Sequence, residues 1–204
     1  MVKNRMERKK EETKKKIVTV AMDLFKRQGF DSTTVEQIAE EADIAKGTIY
    51  LHFPVKEAII DEYVRTAVRE RESNIIHNMR ELPDTRARLI AFYLKSLEFA
   101  EKMITKDLHR RYLVYRVNNL GQSVKDQNLR SGISGVLSEI IELGQEKGEV
   151  RKDISAEMLA EQLQSANFFT FMVWLIEPDK FSLPDRITLN VDLFLKGAAA
   201  GSSV

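Results

Sequence analysis

The sequence predicts an all-α protein of about nine helices, and three observations carry that prediction. Helix formers (Glu, Lys, Ala, Leu, Arg) are frequent, while the 204 residues include only 9 Gly and 4 Pro. No segment alternates strictly between apolar and polar residues, as a half-buried strand would. Apolar residues instead recur at helical spacing between recognisable caps and breakers. At 43% hydrophobic and 31% charged residues, the chain can bury a core and is not a disordered tail.

The first helix is predicted from about Arg8 to Gln28, with Ile17, Ala21, Leu24 and Phe25 as its buried stripe and Gly29 as its stop. In the second, Val35, Ile38, Ala39 and Ala42 line one face. Thr34 stands at the N-cap with Gln37 three residues on, a capping box. After Asp43-Ile44-Ala45 a short helix runs from Lys46 to Phe53. Its Ile49 and Phe53 point into a small core, leaving Lys46, Thr48, Tyr50 and His52 outward. Pro54 ends it. A long helix follows from about Val55 to Met79, with Ala58, Ile59, Tyr63 and Val64 in its early turns, and Pro83 closes it.

From Asp84 a second, larger helical region is expected. The stretch Leu89 to Met103 is apolar over most of its circumference, which implies burial on several sides. Lys106 to Asn119 is helical but irregular and runs into a break at Asn118-Asn119-Leu120-Gly121. A further helix spans about Lys125 to Lys147, with Gly148 as its C-cap and Val150 placed for the accompanying apolar contact. Asp153 or Ser155 caps the next, Ala156 to Ile176. The last runs from about Leu183 to Gly197 with Pro184 in its first turn, and Ala198 to Val204 is a loose end.

Composition excludes several classes. Without cysteine there are no disulfides or thiolate metal sites, in keeping with a reducing cytoplasm. The longest apolar run, Phe168 to Ile176 interrupted only by Thr170, falls short of the roughly 20 residues a bilayer span needs. A cytoplasmic, soluble protein without membrane contact is expected. His52, His77 and His109 are too scattered to suggest a metal set, and no HExxH, GxSxG or phosphate-loop pattern occurs. No cofactor, metal or catalytic activity is therefore expected. Net charge is only +1, yet residues 1–56 carry 12 Lys/Arg against 9 Asp/Glu, and the first 16 carry 8 against 3. A basic leading segment suits phosphate contact; a solvated or frayed helix start is the plain alternative.

Residues 34–53 carry the chemistry. Helix, tight turn, then a helix showing cationic, hydroxyl and aromatic groups outward is the helix-turn-helix arrangement, whose second helix enters a DNA major groove. From Ile17 to Glu57 the chain resembles the tetracycline-repressor (TetR) family of bacterial transcription regulators. The resemblance lies in Ile17, Ala21, Leu24-Phe25, Gly29, Thr34, Ile38-Ala39, Ala42, Lys46-Gly47-Thr48-Ile49-Tyr50, His52-Phe53 and Lys56-Glu57. Two positions depart from the pattern: Asp43 where Gly is common, and Ala45 where Ser is common. Asp also accepts a left-handed φ. Ala45 lacks a hydroxyl that often touches phosphate.

The resemblance implies a three-helix DNA-binding domain over residues 1–54 and a helical-bundle ligand-binding and dimerisation domain over 55–204. It implies phosphate contact from Thr34, Tyr50, His52 and Lys56, with Tyr50 also able to touch a thymine methyl. Gly47 would permit close approach, and Lys46 and Thr48 would reach base edges or nearby phosphate. It further implies a homodimer on a palindromic double-stranded operator, and a small-molecule effector in the second domain that releases DNA, hence repression. Candidate ligand contacts are Phe92, Tyr93, Met103, Tyr112, Tyr115, Arg116, Asn119, Asn167, Phe168 and Phe171, with plain core packing as the alternative for most. The apolar excess favours a hydrophobic or amphipathic, acyl-chain-like effector. The expected dimer seam uses Val136, Leu137, Ile140, Ile141, Leu143, Leu159, Leu163, Ala166 and Trp174, with Gly132 and Gly135 allowing close approach; an intramolecular core is the alternative. The rival from another class is a ligand- or protein-binding adaptor with a vestigial motif.

Overall fold

The computed structural model describes residues 5–119, 121 and 133–198. Among these there are ten helices and no strand: α1 Arg5–Gln28, α2 Val35–Glu41, α3 Lys46–His52, α4 Lys56–Arg69, α5 Glu72–Arg80, α6 Thr85–Met103, α7 Lys106–Asn118, α8 Ile133–Glu146, α9 Ala156–Ile176 and α10 Leu183–Ala198. The tenth arises because the expected helix 55–79 is two. Residues 70 and 71 form a turn between α4 and α5 without Pro or Gly. Arg71 donates from its guanidinium back to the Ala67 carbonyl and lies 4.1 Å over the Phe99 ring. A tertiary contact to a residue 28 positions on therefore accompanies the break, and local sequence carried no sign of it.

The remaining caps follow the sequence. Gly29 has φ +88° and Gly148 φ +73°, left-handed values that end α1 and α8. Val150 is buried as expected. Of the two candidate caps for α9, Ser155 takes the role, its hydroxyl accepting from Met158 N at 3.3 Å, whereas Asp153 pairs with Arg151. Gly132 and the start of the expected helix 125–147 lie outside the described residues, as does nearly all of the expected loose end.

The chain forms two compact units. One holds the chain to Thr66 together with 107–120; the other holds 67–106 and 121–204. In the first, Ile17, Ala21 and Phe25 of α1, Ile38 of α2, Ile49 of α3 and Ile59 of α4 are buried. A charged cluster accompanies this apolar core. Arg65 Nε donates to Asp61 Oδ2 at 2.9 Å, Arg65 also pairs with Glu62, Lys14 of α1 meets Glu62 at 2.7 Å, and Arg116 of α7 lies 3.5 Å from Asp61. Burial holds the Asp61 carboxyl above the ordinary carboxylate range despite both arginines.

In the second unit Leu89 and Phe92 of α6, Val136, Leu137, Ile140 and Ile141 of α8, and Leu159 and Leu163 of α9 share one core. This corrects part of the expected dimer seam: Val136, Leu137, Ile140 and Ile141 of α8 and Leu159 and Leu163 of α9 are spent inside the protomer, whereas Leu143 is half-buried and Ala166 exposed. Gly144 of α8 sits where a Cβ would collide with the Thr85 hydroxyl and stand 2.9 Å from Val150 Cγ2. Arg88, fully buried, donates from Nη2 to the Leu82 carbonyl at 2.8 Å and lies 3.6 Å from Glu149.

Candidate nucleic-acid interface

The reading head is built from short-range rules. Thr34 Oγ1 accepts from Gln37 N at 3.1 Å while Gln37 Oε1 accepts from Thr34 N at 2.9 Å, closing the capping box that starts α2. Gln28 reaches the same Gln37 oxygen at 3.0 Å, tying the end of α1 to this start. At the end of α2, Asp43 takes φ +48°, and Ile44 N bonds the Ala39 carbonyl at 3.0 Å. A left-handed Asp supplies the turn that a glycine would otherwise make. Ala45 then occupies the N-cap of α3 with no side-chain hydrogen bond, so the missing hydroxyl leaves that helix start uncapped.

Ile49 and Phe53 are buried and anchor α3. Their burial sets which residues face out: Lys46, Gly47, Tyr50 and Leu51 are exposed, whereas Thr48 and His52 are half-buried. Leu51, 83% exposed, was missing from the expected contacts, although an apolar residue off the Ile49/Phe53 period was the available signal. Gly47 has nothing within 4 Å of where a Cβ would stand, so no packing within the described residues requires glycine there. Thr34 is exposed as well.

Two lysines expected to face DNA, Lys56 and Lys46, are engaged by the chain itself. The Lys56 ammonium donates to the Phe30 and Thr33 carbonyls at 2.8 and 2.6 Å and lies 4.3 Å over the Phe30 ring. Burial lowers its pKa. Lys56 thus holds the loop between α1 and α2 against the start of α4. The pKa of His52 is lowered, by burial first and then by Lys10 and Lys14, so at neutral pH it is a neutral donor and acceptor rather than a cation. Lys46 pairs with Glu36 of α2, with its ammonium 5.9 Å from the Tyr50 ring centroid.

A short helix held by two buried anchors, with its other face bare, is a helix-turn-helix reading head. The profile of the bacterial regulatory proteins of the tetR family matches residues 17–63, the segment that builds this head. The HTH-type transcriptional repressor NicS of Pseudomonas putida is 29% identical over 203 residues, covering 91% of this chain and 92% of its own. Residues 17–63 thus carry the DNA-binding domain of the tetR family. Solved TetR-family regulators share its fold. Thermus thermophilus FadR, in complex with lauroyl-CoA, superposes with a TM-score of 0.79 at 22% identity, over 93% of this chain and 97% of that one. Bacillus subtilis FadR, in complex with stearoyl-CoA, gives 0.63 at 20% identity, over 90% and 98%.

The expected effector residues fall in both compact units. Tyr112, Tyr115, Arg116 and Asn119 belong to the first, where Arg116 meets Asp61, Asn119 Nδ2 donates to the Tyr115 carbonyl, and burial pushes the Tyr112 hydroxyl up to about 12. The other six belong to the second. Phe92 is core, Met103 is half-buried, Phe168 is partly exposed, and Phe171 stacks on Trp174 at 5.7 Å. Tyr93 lies edge-on to Phe92 at 5.4 Å; its buried hydroxyl makes no hydrogen bond of ordinary geometry among the described residues, although Asn167 lies beside it. Asn167 in turn bonds Asn190 of α10, which also donates to Thr170. These polar groups sit inside an otherwise apolar helix bundle. Among the described residues no group of His, Cys, Asp or Glu is arranged to hold a metal ion, and no helix is long and apolar enough to cross a membrane.

Proposed function

We propose that this TetR-family regulator is a ligand-responsive transcriptional repressor, acting in the cytoplasm without catalytic activity. As a homodimer it binds a palindromic operator, with residues 1–54 reading DNA and 55–204 binding effector and the second protomer. The observation that carries the reading is the bare face of α3, where Lys46, Gly47, Tyr50 and Leu51 stand exposed over buried Ile49 and Phe53. Lys46 and Thr48 serve base edges; Tyr50 and Leu51 supply apolar contact to thymine methyl groups. Thr34, Tyr50 and His52 take phosphate, and Lys56 sets the loop that presents Thr34, with remaining donor capacity toward the backbone.

For the effector we propose an acyl-CoA thioester. Three things support it: the apolar side chains Phe92, Tyr93, Met103, Phe168 and Phe171 of the second unit, the polar group of Tyr93, Asn167, Thr170 and Asn190 among its helices, and the fold shared with two regulators solved with acyl-CoA. An amphipathic ligand suits a largely apolar helix bundle in which a few polar groups converge. Release of DNA requires the thioester to prefer the DNA-incompetent state. Operator selection from random duplexes, followed by anisotropy with the selected duplex, tests both parts. Half-sites about one helical turn (~34 Å) apart are expected, with release by lauroyl-CoA and none by free CoA. Release by polar metabolites alone would overturn the effector assignment; indifference to every duplex at low salt would overturn the repressor.

A further inference from the structure

Glu36, in the first turn of α2, forms an ion pair with Lys46, in the first turn of α3. Their side chains are 61% and 49% exposed, and an exposed pair of this kind adds little to folding. Stabilisation is therefore a poor account of the arrangement. The consequence for DNA is larger. The hydrogen bond between them lowers the pKa of the Glu36 carboxyl and raises that of the Lys46 ammonium, both are charged at neutral pH, and the two together present no net charge to a polyanion. Lys46 is not a free phosphate-seeking cation. It shares its face of α3 with Tyr50, one turn on, and its ammonium stands 5.9 Å from that ring.

A neutral couple with a donor beside an acceptor has a counterpart in the major groove. Guanine presents the acceptors N7 and O6, and the cytosine amino donor lies next to O6. Lysine donates to the first two; a carboxylate accepts from the third. An A·T pair places its amino donor between single acceptors, which denies lysine the O6/N7 couple and sets a methyl group beside O4. We infer that Glu36 is a specificity-determining residue, reading together with Lys46 one G·C base pair in each half-site. The inference rests on α3 entering the major groove as proposed above. It divides the labour on the head: the pair supplies sequence preference with little counterion release, and affinity comes from other groups.

The test uses the full chain and its Glu36→Gln variant, with operators selected by each and with duplexes altered at single positions. The unaltered protein is expected to select a fixed G·C pair in each half-site and to lose about tenfold or more in affinity when that pair becomes A·T. Glu36→Gln should shrink that loss, because Gln favours adenine. It should also bind unrelated duplex more tightly and steepen the slope of log affinity against log salt by about 0.9, as Lys46 is released toward phosphate. A variant that shifts every duplex by one common factor, or an unaltered protein that prefers A·T there, overturns the inference and leaves the repressor reading standing. If the unaltered protein selects no site at all, the reading of α3 falls and the inference falls with it.

Discussion

Burial sets the chemistry of His109 on α7, lowering its pKa from the ordinary 6.5 to about 4. Its imidazole is neutral at pH 7. Because the unfolded chain takes up that proton near pH 6.5 and the folded chain resists until about 4, the unfolded state binds more protons in between, and stability falls as the pH falls through that window. Between pH 7 and pH 5 the loss from this one group is about 2 kcal/mol. Urea unfolding at the two pH values should show a drop in the unaltered protein that His109→Gln reduces by about that amount; an equal drop in both would remove His109 as the cause. Legibility at this scale was uneven. Asp43 was expected to tolerate a left-handed turn and does so, because that preference belongs to the residue itself. Lys56 was expected on phosphate, yet its ammonium binds the carbonyls of Phe30 and Thr33, partners 26 and 23 positions away that no local pattern announces.

α3 separates two kinds of apolar residue within a single helix. Ile49 is buried and Leu51 is exposed, so the same kind of truncation should act on different measurements. Ile49→Ala is expected to cost about 2–5 kcal/mol of stability through the cavity it leaves. Leu51→Ala should leave stability within about 0.5 kcal/mol but weaken operator binding by about 1 kcal/mol or more, as apolar area on the duplex is lost. Thermal melts and anisotropy on the same preparations distinguish them, and a Leu51→Ala protein that melts early but binds normally would contradict the assignment. Short helices were readable because caps and spacing are local: Thr34 with Gln37, the Ile49/Phe53 period, Ser155 and Gly148. The turn between α4 and α5 was not. Residues 69–72, Arg-Glu-Arg-Glu, carry no breaker, and the Arg71–Phe99 contact is tertiary.

At the scale of the molecule, the apolar face open to a second protomer is not the one expected. Val136, Leu137, Ile140 and Ile141 of α8 are buried within the protomer, while α9 leaves Phe169 and Ile176 exposed and α10, packed on α9, leaves Leu189 and Leu193 exposed. These pairs recur at helical spacing, seven and four residues apart, and continue an apolar face along two neighbouring helices. Homodimerisation through that face predicts that Phe169→Glu yields monomers in sedimentation velocity, with operator affinity collapsing because one head reads too few bases. A variant that remains dimeric would move the interface elsewhere. By itself, the sequence determined the helical class, the helices of residues 17–57 and the identity of the reading head, since each follows from spacing, breakers and motif within a few turns of chain. Which apolar stripes pair inside one protomer, which carbonyls claim Lys56 and which carboxylate neutralises Lys46 were decided only by tertiary structure. Helical periodicity says that a face must be covered, and only the packed chain settles what covers it.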